Sequence, residues 1–467
     1  MFTLFIIINI INLVLIMFMI FVEHKRLHRL AIWLLVLSLL PILGFIIYLL
    51  LGVGVIKKKQ KYLMITNTSR INKLNLKTNV CLINNNGNKR IITFNAVNSN
   101  SLYLSNKNID LFTNAQILLN SIKTDFLKAK KSIYLLSYIF CDDKVGDEIK
   151  NILIKKAKQN VKVILIYDGF GSKSTHKRFF NELKQNGVEV YEFFPAKLKI
   201  FQLSINYRNH RKLIIIDDKI SYLGGFNFRD DHMGLNEKLS PWKDTHLKIV
   251  GNSTLEILKV FLSDLKLCSP KIKKIDNFNY DIKDYKKNYV QIISSSPIEK
   301  GEKIEETFIN LIYNSKSEII IETPYLVLDD RFLLSIKQAI LRGVKVKVLI
   351  PKLIDKNFVY NATLLNAKKL IEMGAIIYKF NGFLHSKTML VDKKIFVCGS
   401  CNFDMRSFYL NFETSSVVYS KNISEKFYKT ILKDIKNSEE LDINFYKKLP
   451  VFKKLAISFC SLFSPIL

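Results

Sequence analysis

Cysteine is scarce in this chain of 467 residues, and the scarcity limits the folds and cofactors open to it. The six cysteines lack the density of a disulfide-stapled secreted domain. Cys398 and Cys401 form a C-x-x-C, but no second cysteine or histidine pair has the spacing of zinc ligands. We therefore expect free thiols in a reducing compartment, and neither a metal nor another cofactor.

Acidic residues are also few, with 40 Asp and Glu against 71 Lys and Arg, for a net charge of +31. Disorder combines high charge with low hydrophobicity, so the 49% of hydrophobic residues excludes it. The mean hydropathy of +0.12 is too low for a polytopic transporter. What remains is a largely soluble chain of two or three domains with a polyanionic partner: nucleic acid, an anionic membrane or a phosphate-bearing substrate.

Two apolar segments stand at the amino terminus, separated by a polar loop of seven residues at 23–29. A helix of 22 residues extends about 33 Å, enough to cross a hydrocarbon core of about 30 Å. Residues 1–56 therefore predict a transmembrane hairpin with helices at about 1–22 and 30–56. A cleaved signal peptide is the alternative, disfavoured by the missing basic start and the second span. The basic cluster that begins at Lys57 favours a cytoplasmic catalytic portion.

The rest of the chain repeats itself. Each half shows a strand, a helix, a second strand, a helix and a short strand, at residues 131–138, 161–166 and 187–191 and again at 317–325, 344–350 and 374–378. This alternation indicates βαβ units, so we predict a duplicated α/β fold with a mainly parallel sheet in each half. The halves span 108–270 and 285–445, after a partly β linker region at 57–107 and before a carboxy-terminal tail at 446–467.

Each half carries one His-x-Lys-x-x-x-x-Asp motif. The first runs from His210 through Lys212 to Asp217, and the second has the same three residue types, at His385, Lys387 and Asp392. In both copies six residues separate the Asp from a turn of small residues that ends in asparagine, at Asn227 and at Asn402. A single H-x-K has little meaning in a lysine-rich chain, but two copies with the same downstream turn are a strong signal.

The motif spacing suits a phosphodiester. An apolar strand follows each lysine, and the two-residue period of a strand puts each His and its Lys on one face, with Arg211 and Ser386 pointing away. Two halves packed about a pseudo-two-fold axis would bring both pairs, with Asn227 and Asn402, into one pocket. Lysines and amides stabilise the non-bridging oxygens, while one His attacks phosphorus and the other protonates the leaving alkoxide. Because the lysines supply the positive charge, this chemistry needs no metal.

Other carboxylates and histidines have weaker signals. Asp217 and Asp392 lie seven residues from their His, so an ideal strand turns them away from it, and a structural pairing is favoured over direct catalysis. Asp244 and Glu413 are better candidates to orient the histidines. The remaining histidines are expected on the surface or in loops, at positions 24, 28, 176, 232 and 246.

These motifs resemble the phospholipase D superfamily, and the surrounding segments resemble its bacterial cardiolipin synthases. The resembling segments are NYRNHRK at 206–212, GGFN at 224–227, PWKDTH at 241–246, TPY at 323–325, NFDMRSF at 402–408 and NFE at 411–413. The resemblance implies a duplicated phospholipase D-like fold and the conversion of two phosphatidylglycerol molecules to cardiolipin and glycerol. It also implies a multi-pass protein of the cell membrane. Ser137, Phe226 and Cys401 depart from the family pattern without removing a catalytic group.

We therefore predict a phosphatidyltransferase with a phosphohistidine intermediate, His210 as nucleophile and His385 as general acid and base. The near-symmetry of the motifs leaves an exchange of these two roles open. The expected partners are phosphatidylglycerol and an anionic membrane, with no nucleic acid, and the tail at 446–467 is either an amphipathic helix at the interface or an ordinary packed helix. The alternatives are a hydrolase or membrane-anchored nuclease of the same superfamily, and a non-catalytic scaffold for anionic lipid.

Overall fold

The computed structural model describes residues 2–23, 27–51, 87–193, 207–269, 282–299 and 301–462. At the amino terminus, α1 (Phe2–Glu23) is followed by α2 (Leu27–Leu39) and α3 (Leu43–Leu51). The prediction of one helix over 30–56 was wrong, because the chain breaks at Pro41, which lacks an N–H and disfavours helix in the residue before it. Among the residues described in full, no helix is both long and apolar enough to cross a membrane.

The three amino-terminal helices pack on one another. Met19, Trp33, Leu37 and Tyr48 form a buried apolar cluster, and the rings of Trp33 and Tyr48 lie edge to face at 5.3 Å. The side chain of Asn12 donates to the carbonyl of Leu37 at 3.2 Å. Of the predicted loop at 23–29, residues 24–26 lie outside the described part of the chain, whereas residues 27–29 belong to α2. The basic cluster at 57–61 also lies outside it.

The predicted linker contains a helix. Residues 57–86 lie outside the described part of the chain, but α4 (Lys89–Ser99) follows and packs on the second half, although the first half comes next in sequence. Asn95 of this helix donates to Gln291 at 3.2 Å and accepts from Thr307 at 3.1 Å. The linker therefore contributes to the second half rather than only spacing the domains.

The first half is a seven-stranded sheet with four helices. The elements, in chain order, are β1 (Asn106–Phe112), α5 (Ala115–Lys128), β2 (Ser132–Ser137), α6 (Lys144–Lys158), β3 (Lys162–Asp168), α7 (Lys177–Gln185), β4 (Glu189–Phe193), β5 (Arg208–Asn209), β6 (Leu213–Ile216), β7 (Ile220–Gly224), β8 (Trp242–Lys243), β9 (His246–Gly251) and α8 (Ser253–Cys268). The sheet order is β1-β9-β7-β6-β2-β3-β4, with β5 and β8 pairing elsewhere.

The second half repeats this order. Its elements are β10 (Tyr289–Ser295), α9 (Lys303–Asn314), β11 (Glu318–Glu322), β12 (Leu326–Val327), α10 (Asp330–Leu341), β13 (Lys345–Pro351), α11 (Asn357–Glu372), β14 (Ile376–Phe380), β15 (Phe383–Leu384), β16 (Thr388–Val391), β17 (Ile395–Gly399), β18 (Phe403–Asp404), α12 (Met405–Tyr409), β19 (Asn411–Tyr419), α13 (Lys421–Lys436), β20 (Ser438–Leu441), α14 (Ile443–Lys448) and α15 (Val451–Leu462). The sheet runs β10-β19-β17-β16-β11-β13-β14-β20, so the duplicated α/β fold is observed.

The prediction of mainly parallel sheets was wrong, because both sheets are mixed. Along the main strand order of the two sheets, only the β2-β3-β4 and β11-β13-β14 segments are parallel, as βαβ crossovers require. The strand after each motif lysine instead turns back as a hairpin, β6 to β7 and β16 to β17, and such connections are antiparallel. The turns begin with Asp217 and Asp392, whose φ values of 50° and 51° lie in the left-handed region that Asp tolerates better than most residues.

The two sheets face each other across a shared core. Helices α5, α6 and α7 cover the outer face of the first sheet, and α9, α10 and α11 cover that of the second. Helices α8 and α13 lie between the sheets, where Phe261 and Phe427 belong to one apolar cluster with residues of both. This central layer fixes the halves to each other.

The carboxy-terminal α15 packs on α11. Ile457 and Cys460 are buried, and Lys453 donates to Asn361 at 2.9 Å. The opposite side of the helix leaves Val451, Phe452, Leu455 and Phe459 exposed. The helix thus combines one packed face with one apolar exposed face, and residues 463–467 lie outside the described part.

Candidate active site

His210 lies where the two halves meet. Strand β5, which ends one residue before it, pairs in parallel with β19 of the second half, and the backbone N–H of His210 donates to Phe412 at 3.0 Å. The ring Nδ1 lies 3.0 Å from both the carbonyl of Ser400 and Oε1 of Glu413. Both partners accept hydrogen bonds, so Nδ1 carries the proton and Nε2 has a free lone pair.

His385 occupies the equivalent place in the second half. Strand β15 pairs in parallel with β8 of the first half, and the N–H of His385 donates to Lys243 at 2.7 Å. Its Nδ1 lies 2.6 Å from Oδ2 of Asp244. The structure thus brings Asp244 and Glu413 to the histidines, and each carboxylate comes from the half opposite to its histidine.

The small-residue turns hold these carboxylates in place. A Cβ on Gly225 would lie 2.0 Å from Oδ1 of Asp244, so only glycine leaves room for that carboxylate. At the equivalent position of the second half, the hydroxyl of Ser400 donates to Glu413. The first turn therefore positions its carboxylate by leaving room for it, and the second positions its carboxylate by a hydrogen bond.

Both motif lysines are buried beside their histidines. The ammonium of Lys212 donates to the carbonyl of His210 at 2.5 Å, and Lys387 donates in the same way to His385. Burial lowers the pKa of Lys212 to about 7 and that of Lys387 to about 8. A bound anion would restore the charge of both, so the site favours phosphate over neutral ligands.

Burial also keeps the histidines neutral. It lowers the pKa of His210 to about 4, with the charge of Lys212 adding to the effect. Burial followed by Lys387 and Lys212 lowers the pKa of His385 further below its usual range. Burial raises the pKa of Asp244 to about 6. Neutral imidazoles with Nε2 unprotonated are the form in which a histidine attacks or accepts a proton.

The asparagines reach the same pocket through different contacts. Oδ1 of Asn227 accepts from the N–H of Ile139 at 3.2 Å, which leaves its amide group beside His232. Oδ1 of Asn402 is buried with no hydrogen-bond partner in the structure. Both residues line the cavity that contains His210 and His385.

Asp217 and Asp392 lie away from this pocket. Asp217 accepts from the backbone N–H groups of Lys130, Lys131 and Ser132 at 2.7–2.9 Å, and Asp392 binds the start of β11 in the same way. This geometry agrees with the structural pairing that the strand spacing favours over direct catalysis: both aspartates tie the motif hairpin to the neighbouring strand. Arg211 and Ser386 also point away, as expected, and Arg211 pairs with Asp264 at 2.5 Å.

The remaining histidines were expected on the surface or in loops. His246 is instead buried at the start of β9, and His232, although it lies in the connection between β7 and β8, is also buried. The ring of His232 lies 4.9 Å from that of His385 and 4.2 Å from that of Trp242. The spacing of His232 from the motifs carries no periodic signal that could have revealed this. His24 lies outside the described residues, and His176 is exposed.

In the part of the chain that the structure describes, one group of side chains could hold a metal ion. His232, Asp244 and His385 each offer a ligand atom, and these atoms lie within 4.8 Å of one another. The short hydrogen bond between His385 and Asp244 already engages two of these three side chains. Sequence reasoning did not anticipate the group, because it set His232 aside.

The cavity around the motifs has a volume of about 560 Å³, in the range of small-ligand sites. Sequence reasoning missed several of its lining residues, among them Tyr138, Arg208, Trp242, Tyr325 and Arg406. Tyr138 lies edge-on to His210 at 4.9 Å, and its ring is 5.3 Å from the ammonium of Lys212. The lining mixes apolar side chains with polar and charged ones, and its charged groups suit a phosphate-bearing headgroup.

Comparison with known proteins places this site in a family. The model of the cardiolipin synthase, phospholipase D-like domain matches twice, at residues 122–250 and 308–435. The chain is 36% identical to the major cardiolipin synthase ClsA of Bacillus subtilis strain 168, over 100% of this chain and 98% of that one. It is also 36% identical to the cardiolipin synthase of Listeria welshimeri, over 96% of this chain and 95% of that one.

Among solved structures, the phosphatidylserine synthase of Haemophilus influenzae Rd KW20 has the same fold. The match has a TM-score of 0.63 at 14% identity and covers 82% of this chain and all of that one. The two domain matches, the 36% identity over nearly the full length and the duplicated motif site agree with one another. The chain belongs to the cardiolipin synthase family of phospholipase D-like proteins.

Proposed function

We propose that the chain is a phosphatidyltransferase that converts two phosphatidylglycerol molecules to cardiolipin and glycerol. The observation that carries the proposal is the pair of neutral, buried imidazoles, each with its Nδ1 on a carboxylate of the other half, beside two buried lysines. The names of the relatives at 36% identity support the same reaction.

In the first step, Nε2 of one histidine attacks the phosphorus of a phosphatidylglycerol. A phosphorus–nitrogen bond forms, the bond from phosphorus to the glycerol oxygen breaks, and the other histidine gives its proton to that oxygen. Lys212 and Lys387, with the amides of Asn227 and Asn402, stabilise the charge on the non-bridging oxygens. Binding of the anionic lipid raises the pKa of the second histidine, so that it carries the proton it must donate.

In the second step, the same histidine takes a proton from a hydroxyl of another phosphatidylglycerol. That oxygen attacks phosphorus, the phosphorus–nitrogen bond breaks, and cardiolipin leaves. We propose His210 as the nucleophile and His385 as the acid and base. Mapping the phosphohistidine on tryptic peptides tests this: label on the His385 peptide alone would reverse the two roles.

The enzyme would work at the membrane that contains its substrate. We propose that α1 and the α2–α3 pair form a transmembrane hairpin, with the catalytic portion on the cytoplasmic side and the anionic bilayer as partner. The apolar composition of residues 1–22 and 30–56 and the basic cluster after Lys57 support this arrangement. Cysteine substitutions on either side of the hairpin, labelled with a membrane-impermeant reagent, give its orientation.

The deciding experiment is the purified full-length protein with phosphatidylglycerol vesicles and analysis of the lipid products. Cardiolipin with an equal amount of glycerol is expected. Phosphatidic acid without cardiolipin would favour a hydrolase, and cleavage of DNA with no lipid turnover would favour a nuclease. Binding of the vesicles without any turnover would favour a scaffold.

A further inference from the structure

The two ends of the cavity differ, although the fold that builds them is duplicated. Arg208 stands two residues before His210, in a strand that pairs with Asn411. The equivalent pairing before His385 joins Phe383 to Trp242. The end beside His385 is therefore aromatic where the end beside His210 is cationic and polar.

A second arginine strengthens the difference. Arg406 lies four residues after Asn402. The equivalent position of the first half, four residues after Asn227, is Asp231, which pairs with Arg229 at 2.8 Å. Burial lowers the pKa of Arg406 and the charge of Arg208 lowers it further, although Tyr138 and Asp404 act in the opposite direction. Both arginines line the cavity, so this end presents two guanidinium groups.

Two carboxylates lie near these arginines, and both also accept hydrogen bonds from the backbone. Asp168 lies 3.6 Å from Arg208 but accepts from the N–H groups of Phe170, Gly171 and Asn209. Asp404 accepts from the N–H of Ser407 at the start of α12. Two guanidinium groups in one part of the cavity lining can bind the oxygens of a phosphodiester through charge-assisted hydrogen bonds.

Asn411 adds a site for a hydroxyl group. Its Nδ2 donates to Glu413 at 3.2 Å, and since a carboxylate only accepts, the orientation of the amide is fixed. Its Oδ1 is buried and has no partner in the structure, and the residue lines the cavity opposite Arg208. A buried acceptor without a donor is costly, and a hydroxyl of a ligand would satisfy it.

We propose that Arg208, Arg406 and Asn411 form a subsite for the phosphoglycerol headgroup of the second lipid, binding its phosphodiester and one of its hydroxyls. The inference rests on the proposed function and extends it, because it makes an anionic, phosphate-bearing lipid the preferred acceptor. The reacting phosphate is bound separately by the two motif lysines.

The test compares two acceptors with one donor. Phosphatidylglycerol vesicles with labelled free glycerol allow two reactions in one sample: cardiolipin formation, and exchange of the headgroup glycerol for labelled glycerol. The donor is the same in both, and only the first has an acceptor with a phosphate. For Arg406→Gln we expect the ratio of cardiolipin formation to glycerol exchange to fall roughly 10- to 100-fold, the loss that a charge-assisted hydrogen bond implies.

Two matched variants complete the design. Arg406→Lys keeps the charge, and should recover part of the ratio. Arg229→Gln removes the same charge from the other end of the cavity, and should change both reactions by the same factor. Because each ratio comes from one preparation, a partly unfolded variant does not alter it.

An unchanged ratio in Arg406→Gln, with both reactions slowed equally, would overturn the subsite and leave the proposed function intact. Equal falls of the ratio in Arg406→Gln and Arg229→Gln would also overturn it, because the effect would then be general to the charge of the cavity. Failure of the unaltered protein to form any cardiolipin would instead overturn the proposed function. Free inorganic phosphate, added as a competitor, should slow cardiolipin formation more than glycerol exchange.

Discussion

The first and second halves of the chain share strand order, motif and hairpin turn, but they build different surroundings for their histidines. His210 has Tyr138 and two arginines near it, whereas His385 has His232, Trp242 and Phe383. The common part is what phosphoryl transfer requires, and in the proposed subsite the part that differs binds the second lipid. A duplicated fold can therefore keep its reaction while its two ends diverge in ligand preference.

The exchange of carboxylates makes activity depend on the contact between the two halves. Glu413 serves His210 and Asp244 serves His385, so neither half contains a complete site. Separating the halves would leave both imidazoles without an orienting group. The central layer of α8 and α13 is thus part of the requirement for activity.

Among the changes that test this comparison of the two halves, loss of either motif histidine should lower activity most. We expect His210→Ala and His385→Ala each to lower cardiolipin formation by roughly 10³-fold or more. A donor with a p-nitrophenolate leaving group needs no general acid, and it should restore headgroup release in His385→Ala but not in His210→Ala. Release recovered only in His210→Ala would exchange the two roles.

The two small-residue turns offer a sharper contrast. Gly225→Ala puts a Cβ where Oδ1 of Asp244 lies, so we expect roughly a 100-fold loss of kcat. Ser400→Ala removes one hydrogen bond from Glu413 and leaves its space unchanged, so a loss of about tenfold is expected. Steady-state kinetics, with thermal unfolding as control, measures both. Equal losses would contradict the distinction between space and hydrogen bonding.

The lysines set the pH dependence of the free enzyme. The pKa values of Lys212 and Lys387 lie near 7 and 8, and both must be protonated to bind the phosphodiester. The value of kcat/KM should therefore fall as pH rises through 7 to 8, with Lys212 failing first, by about tenfold per pH unit once one lysine is neutral. A profile that stays flat to pH 10 would show that the empty pocket keeps both lysines charged.

The smallest effect is expected at the motif aspartates, on stability rather than turnover. Burial raises the pKa of Asp217, but three backbone donors outweigh it and lower the pKa below its usual value. Its stabilising contribution is thus present at neutral pH and lost as pH falls through the lowered folded value. Asp217→Ala should cost about 1–3 kcal/mol, and Asp392→Ala somewhat more because Ser317 also donates to Asp392. Chemical denaturation at pH 7 and pH 4 measures the stability of both variants. A loss of kcat at unchanged stability would instead give Asp217 a catalytic role.

Periodicity and motif spacing were sufficient to predict the duplication, the shared face of each His and Lys, and the outward direction of Arg211 and Ser386. Strand order could not be predicted in the same way: a βαβ pattern describes the crossovers, while the hairpins after the motif lysines make the sheets mixed. Pro41 marks the helix break in the sequence, but the apolar composition on both sides of it favours one long helix.

The sequence by itself determined the chemistry of this protein, because the residues that transfer a phosphoryl group must be of particular types at strand spacing. Only the tertiary structure decided which carboxylate serves which histidine, that His232 is buried beside His385, and that the cavity has one cationic and one aromatic end. These relations join residues far apart in the chain through the packing of two sheets, and no local pattern of side chains encodes that packing.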